Sequence, residues 1–268
     1  DQVDGTPNPW FQRWIAHPDF DAYWQAMVPY GREFADIDIP VLTITGFYDD
    51  GQISALHYLK EHYAHRSRAQ HYLVIGPYDH FGTHAHLKNA TLRGYQIDPV
   101  AQFSTPALTL QWMDFVLRDG PQPSLLKKPI NYQVMGANEW RNVDSLGDLT
   151  KRNSRFFFSA DRDGDRYVLA ARKPKASAFV EHTVDFKNRN FFHNFHSYPA
   201  PLIQDKLEYI TETIYVGAPF ERATIVSGMF RGELAITINK RDVDLGVTVY
   251  EQMPDGKLFH LGYSLGRA

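Results

Sequence analysis

Two turns in this 268-residue chain present side chains able to do chemistry. Gly46-Phe47-Tyr48-Asp49-Asp50-Gly51 delivers a carboxylate, and Gly76-Pro77-Tyr78-Asp79-His80 delivers an imidazole. An imidazole can take the proton of an attacking hydroxyl and return it to a leaving group. A carboxylate behind the ring holds its tautomer and stabilises the cation that forms. Asp49 and His80 are therefore candidates for the acid and base of nucleophilic acyl transfer. In the chain order that runs Ser, then Asp or Glu, then His, the last two members follow one another as Asp49 and His80 do here. The nucleophile belongs upstream of Asp49, and nothing upstream of Asp49 in this chain can serve. On motif grounds alone, a turn carboxylate and a loop histidine remain the plain alternative.

The elements around the turns set where those side chains can go. Pro40-Val41-Leu42-Thr43-Ile44-Thr45 and His71-Tyr72-Leu73-Val74-Ile75 read as buried strands, too short and too β-branched for helices. Between them Ile53, Leu56, Leu59 and Tyr63 mark one face of a helix running to about His65. A strand–turn–helix–strand order implies a parallel sheet with helices over it. Asp49 and His80 are 31 residues apart, close to one such step, so their loops should converge at the carboxyl ends of the strands. A further helix is expected from Thr105, as cap, to a left-handed stop at Gly120, with Leu108, Trp112 and Phe115 on one face. Upstream, residues 8–34 are rich in Trp, Phe and Tyr and read as helical, with a start near His17-Pro18-Asp19.

The proline-rich stretch from Gly120 to Pro129 reads as a domain boundary, and beyond it the pattern changes to short strands and tight turns. Strands are expected at 131–135, 155–159, 166–170, 234–238, 246–251 and 257–261, with turns at 161–165 and at Pro254-Asp255-Gly256. That pattern indicates a β-sandwich or jelly roll. Composition excludes several classes. A net charge of −3 with scattered Lys and Arg offers no footprint for nucleic acid. No apolar run approaches membrane-spanning length. The absence of Cys removes disulfides, thiolate metal sites and a Cys nucleophile without setting the compartment. Hydrophobic residues at 43% and aromatics at 14% fit a well-packed fold.

Pro40–Gly51, Tyr72–His80 and Leu108–Gly120 together resemble the X-Pro dipeptidyl-peptidase and CocE/NonD group of serine hydrolases, which includes cocaine esterase, glutaryl acylase and α-amino acid ester hydrolase. The resemblance extends to His17-Pro18 with Asp21-Ala22-Tyr23-Trp24, similar to the end of that group's helical cap. It also takes in Met135-Gly136-Ala137-Asn138-Glu139-Trp140-Arg141, similar to the start of its jelly roll, and Val216–Phe220, Ser227-Gly228 and Pro254-Asp255-Gly256 further on. It implies an α/β fold: the end of a cap over residues 1–36, the C-terminal part of an α/β-hydrolase domain over 37–122, and an incomplete β jelly-roll domain over 128–268, with the chain truncated at both ends. It makes Asp49 the triad acid and His80 the base, acting on an ester or amide without a cofactor. Asp50 is the weaker candidate acid, and Asp79 faces solvent or braces its loop. Tyr48 and Tyr78 line the substrate pocket or pack in the core. Gly51 stands where some relatives carry an aromatic, and the group's nucleophile and oxyanion-hole Tyr precede Asp1. The implied partner is a small-molecule or short peptide substrate; homo-oligomerisation is left open.

Other patterns weigh less. Gly262-Tyr263-Ser264-Leu265-Gly266 matches the nucleophile motif but follows His80 and has no helix after it, so a β-strand turn is expected. His80, His84 and His86 could suggest a metal, but they lack a His-Glu-x-x-His pattern. Asp161, Asp163 and Asp165 lack the Gly and distal Glu of a calcium loop. Asn89-Ala90-Thr91 is a glycosylation sequon by pattern only. The competing class is a non-catalytic pseudo-hydrolase that binds through the jelly roll; a metal-dependent hydrolase is third.

Overall fold

The computed structural model describes residues 5–84, 90–185, 187, 201–207 and 212–267, so His86 and Asn89 lie outside the described residues. The first β-branched run forms β1 (Val41–Gly46), helix α3 (Gln52–His65) follows, and the second run forms β2 (His71–Gly76). Ahead of them stand the short helices α1 (Pro9–Ile15) and α2 (Ala22–Gln25) and a 3-10 turn at Gly31–Asp36. β1 and β2 pair in parallel, in register from Val41 opposite His71 to Gly46 opposite Gly76. A small hairpin, β3 (Thr91–Leu92) and β4 (Tyr95–Gln96), turns through Arg93 and Gly94, both at positive φ. Helix α4 (Thr105–Arg118) then leads to β5 (Ile130–Val134), parallel to β2, and β6 (Glu139–Val143) pairs antiparallel with β5. The resulting mixed sheet has the order β1-β2-β5-β6.

The period-two alternation of β2 distributes its side chains between two helices. Leu73 and Ile75 pack with Leu59 of α3 on one face, and Val74 packs with Leu108 and Trp112 of α4 on the other. Each such side chain, fully buried, contributes about 1.5–3 kcal/mol. Ile53 departs from the expected helix face: it is 81% exposed, one turn ahead of the residues that reach the sheet.

Between α3 and β2 a pair of buried histidines is held in one protonation pattern. His62 Nε2 donates to the Ile37 carbonyl at 2.9 Å, so its Nδ1 accepts from His71 Nδ1 at 3.1 Å. His71 Nε2 then accepts from the Thr43 hydroxyl at 2.7 Å. Burial, with His62 alongside, pushes the His71 imidazole down to about 4.

Several local expectations are revised. The aromatic-rich start is divided rather than one helix: Asp21 caps α2 by accepting from Tyr23 N, while Pro18 and Pro29 interrupt the helical path. Ser104, not Thr105, caps α4, its hydroxyl accepting from Ala107 N at 3.3 Å, and Thr105 is buried. The left-handed stop falls on Asp119 (φ 53°), one residue before Gly120, a conformation Asp tolerates. β5 and β6 lie beyond the proline-rich segment yet belong to the first sheet, because Ile130, Asn131 and Tyr132 pair with Leu73, Val74 and Ile75.

The remaining strands form two small sheets. β7 (Phe157–Asp163) and β8 (Arg166–Ala170) make an antiparallel hairpin, and β10 (Tyr215–Gly217) adds in parallel to β8. β9 (Ile203–Gln204), β12 (Leu258–Arg267) and β11 (Asp244–Gln252) form the other, in the order β11-β12-β9. The strand expected at 234–238 does not form: Leu234, Ile236 and Ile238 are exposed and irregular, and among the described residues no strand pairs with them. No helix among the described residues is long and apolar enough to cross a membrane.

Candidate active site

Parallel pairing carries the first turn directly against the second. Phe47 N donates to the Gly76 carbonyl at 2.8 Å, continuing the ladder one step past the strands, and Tyr48 N donates to the Tyr78 carbonyl at 3.1 Å. The glycines allow this approach: a Cβ on Gly46 would overlap the Tyr78 carbonyl oxygen, and one on Gly76 would meet the Tyr78 ring at 2.6 Å. Neither glycine is there for its φ; each is there because another backbone or ring occupies the space.

This packing brings Asp49 and His80 together. His80 Nδ1 lies 3.2 Å from Asp49 Oδ1. The carboxylate is 7% exposed and the imidazole 59%, so a buried acid backs a base that faces outward. Asp49 Oδ1 also accepts from Gly51 N at 2.9 Å, and Oδ2 accepts from the Thr45 hydroxyl at 3.2 Å. An ionised carboxylate only accepts, so His80 donates through Nδ1 and keeps the lone pair on Nε2. That arrangement can hold a ring, stabilise its cation and leave Nε2 to take a proton.

The base loop is braced from within. Asp79 Oδ1 accepts from Gly82 N at 2.9 Å, and the Thr83 hydroxyl donates to the His80 carbonyl at 2.8 Å. Of the alternatives left by sequence, Asp79 braces its loop. Asp50 is exposed and leaves the bond to His80 with Asp49. The ring of His84 stands 5.3 Å from that of His80. Ligand atoms of Asp49, Asp50 and His80 lie within 4.8 Å of one another, so these three could hold a cation, though Asp49 already serves three donors.

Tyr48 is packed in a core cluster. It is 8% exposed, and its hydroxyl donates to the His260 carbonyl at 2.7 Å. Tyr78 is 2% exposed, with its hydroxyl donating to the Ala101 carbonyl at 2.7 Å. The residue borders a cavity of about 240 Å³, also lined by Pro77, Asp79, Phe81 and Arg93. Burial raises both phenols well above their ordinary range, so each remains a donor. Ser264 sits in the middle of β12, opposite Val247, in extended backbone rather than a strand-to-helix elbow.

Sequence reasoning missed Thr45. Its signal was a hydroxyl at the inward-facing end of β1, four residues before the acid, where a purely apolar strand would carry Val or Ile. It also missed the bond from Tyr48 to His260, which joins residues 212 positions apart and has no local signature.

Comparison with known proteins bears on this arrangement. Residues 2–82 match the family described as X-Pro dipeptidyl-peptidase (S15 family), a span that contains both turns. Residues 126–265, just over half the chain, match the X-Pro dipeptidyl-peptidase C-terminal non-catalytic domain. No curated protein matches by sequence. Among solved structures, an aminopeptidase from a marine sediment archaeon (Thaumarchaeota archaeon) is similar over 97% of this chain and 45% of its own, with a TM-score of 0.65 and 15% identity. An α-amino acid ester hydrolase is similar over 97% of this chain and 46% of its own, with a TM-score of 0.56 and 15% identity. At that identity the likeness shows the fold alone, and the chain spans a little under half the length of either protein. By the two family matches, which follow each other along the sequence, the chain belongs to the X-Pro dipeptidyl-peptidase (S15) family of hydrolases.

Proposed function

We propose that this chain carries the acid and base of a serine hydrolase that cleaves an ester or amide acyl bond. The observation that carries the reading is the buried Asp49 carboxylate, fixed by Thr45 and Gly51 and accepting from His80 Nδ1 at 3.2 Å. In this reading His80 Nε2 takes the proton of a serine hydroxyl as its oxygen attacks the acyl carbon. The same proton then passes to the departing oxygen or nitrogen, and a water is activated in the second half-reaction. Asp49 holds the ring and stabilises the imidazolium. The serine and the oxyanion hole are supplied by sequence outside residues 1–268, and the substrate is a small molecule or a short peptide. The parallel pairing of β1, β2 and β5 under α3 and α4 supports an α/β-hydrolase sheet, and the strands from β7 onward support a jelly roll. On this reading residues 1–36 end a cap and the hydrolase sheet runs on through β6, past the 122/128 boundary that the proline-rich segment suggests.

The test is turnover of a p-nitrophenyl ester and of an Xaa-Pro anilide by the full-length protein. Asp49→Asn and His80→Ala should each lower kcat about a thousandfold or more while leaving the folded state intact. Wild-type turnover in either variant ends the assignment. The nearness of Asp50 to the pair motivates a second reading, a divalent metal on Asp49, Asp50 and His80. Activity lost to a chelator and restored by zinc would select it; activity indifferent to chelation selects the triad.

A further inference from the structure

Among the described residues, the C-terminal strands are hydrogen-bonded to the Asp49 turn through the Tyr48 side chain. Tyr48 precedes Asp49, and two of its polar groups are held by different segments. Its backbone N–H is bound by the Tyr78 carbonyl of the base loop, at 3.1 Å. Its hydroxyl is bound by the His260 carbonyl of β12, at 2.7 Å. We infer that Tyr48 is a positioning residue that tethers the Asp49 turn to β12, so that the C-terminal region sets the geometry of the acid–base pair. This inference rests on the hydrolase reading above and assigns a catalytic consequence to a region whose family description calls it non-catalytic.

The acceptor is itself held in place. His260 N donates to the Leu202 carbonyl at 3.0 Å, and Leu202 N donates to the Arg93 carbonyl at 3.0 Å. Leu202 is fully buried, in one cluster with Tyr48, Tyr78, Leu92, Ile97 and Ala101. Phe259, next to the accepting residue, stacks on Tyr95 of β4 with centroids 5.4 Å apart. The His260 carbonyl is thus fixed through β12, the segment at 201–204 and the β3–β4 hairpin. On the other side, Asp49 meets His80 at 3.2 Å, the long end of a charge-assisted bond, where a small displacement of the turn matters most. Because burial keeps the Tyr48 phenol protonated, the tether holds throughout the range in which a serine hydrolase works.

Tyr48→Phe removes the hydroxyl and keeps the ring in its cluster. Tyr63→Phe is the matched control: it also deletes a tyrosine hydroxyl that donates to a backbone carbonyl, that of His71 at 2.8 Å, but on α3 away from the dyad. In the full-length protein, with a p-nitrophenyl ester well below the unfolding midpoint, Tyr48→Phe should lower kcat about tenfold with KM within about twofold of wild type. Tyr63→Phe should leave both constants within about twofold. An unchanged kcat in Tyr48→Phe, or an equal loss in both variants, overturns the tether. Should Tyr48→Phe not accumulate, Phe259→Leu loosens the same strand from the hairpin and should cost about threefold in kcat; no loss overturns the inference. Asp49→Asn separates the two failures. If it is inactive while Tyr48→Phe is unaffected, only the tether falls; if it is active, the hydrolase reading falls and takes the tether with it.

Discussion

The sheet that carries Asp49 and His80 and the small sheets beyond residue 156 are both rich in apolar side chains, but they bury them differently. In β2, Leu73 is 1% and Val74 0% exposed, because α3 covers one face and α4 the other. In β11 and β12, Val247 is 41% and Leu265 67% exposed, and the two strands are joined by a hairpin. The parallel crossover makes the difference: it obliges a helix to lie over the strands it connects, whereas a hairpin imposes no such cover. The turns that carry Asp49 and His80 inherit their position from the first arrangement, since they leave strands paired in register and covered on both faces. The second region meets the first chiefly at His260, Leu202 and Phe259, and those residues are well buried or stacked.

The contrast can be broken most severely at the backbone. Gly46→Ala places a Cβ on the Tyr78 carbonyl, with no flexible side chain to yield. We expect a loss of about 3 kcal/mol in urea unfolding, together with loss of turnover in the full-length protein as the turns separate. A stability near wild type would show that the close contact of the two turns is dispensable.

A paired measurement sharpens the comparison. Leu73→Ala leaves a cavity between β2 and α3 and should cost about 3 kcal/mol. Ile236→Ala removes more than a methyl from a residue already 45% exposed and should stay within about 0.5 kcal/mol. Equal costs would mean that the two regions are packed alike after all.

The pH dependence of stability is expected to be smaller and to belong to the first sheet. His71 is held down to about 4 when folded, chiefly by burial, whereas an unfolded histidine takes its proton near its ordinary value of 6.5. Between those values the unfolded chain binds more protons, so stability falls as pH drops through 6.5 toward 4 and loses nothing more from this group below that. Urea midpoints measured at pH 7.5 and pH 5 should differ in wild type, and His71→Gln should flatten the difference. A variant with the wild-type slope would place the sensitivity elsewhere.

Much of this was legible before any coordinates. The runs at 40–45 and 71–75 have the β-branched, turn-bounded character that only a buried strand satisfies, and Leu108, Trp112 and Phe115 share a helix face by spacing alone. The order of the two turns, and their separation by one crossover, also follow from position in the chain. Caps and stops were legible to within one residue, since Ser104 and Thr105, or Asp119 and Gly120, offer nearly equivalent local chemistry. The strand expected at 234–238 was not, because alternation states which side chains could face a core without supplying the neighbour that would make one.

What the sequence determined by itself, then, is whatever depends on residues within a turn or two of each other: strand, helix, turn, and the residue types delivered at each turn. Tertiary structure decided which of those types meet. It put β5 and β6 beside β2 across the proline-rich segment, set Thr45 against Asp49, and carried the Tyr48 hydroxyl to a carbonyl 212 residues away. The reason is physical. Local preference is fixed by sterics and hydrogen bonding within the chain's own backbone, while a partner at long range is chosen by which packing leaves the fewest buried polar groups unsatisfied.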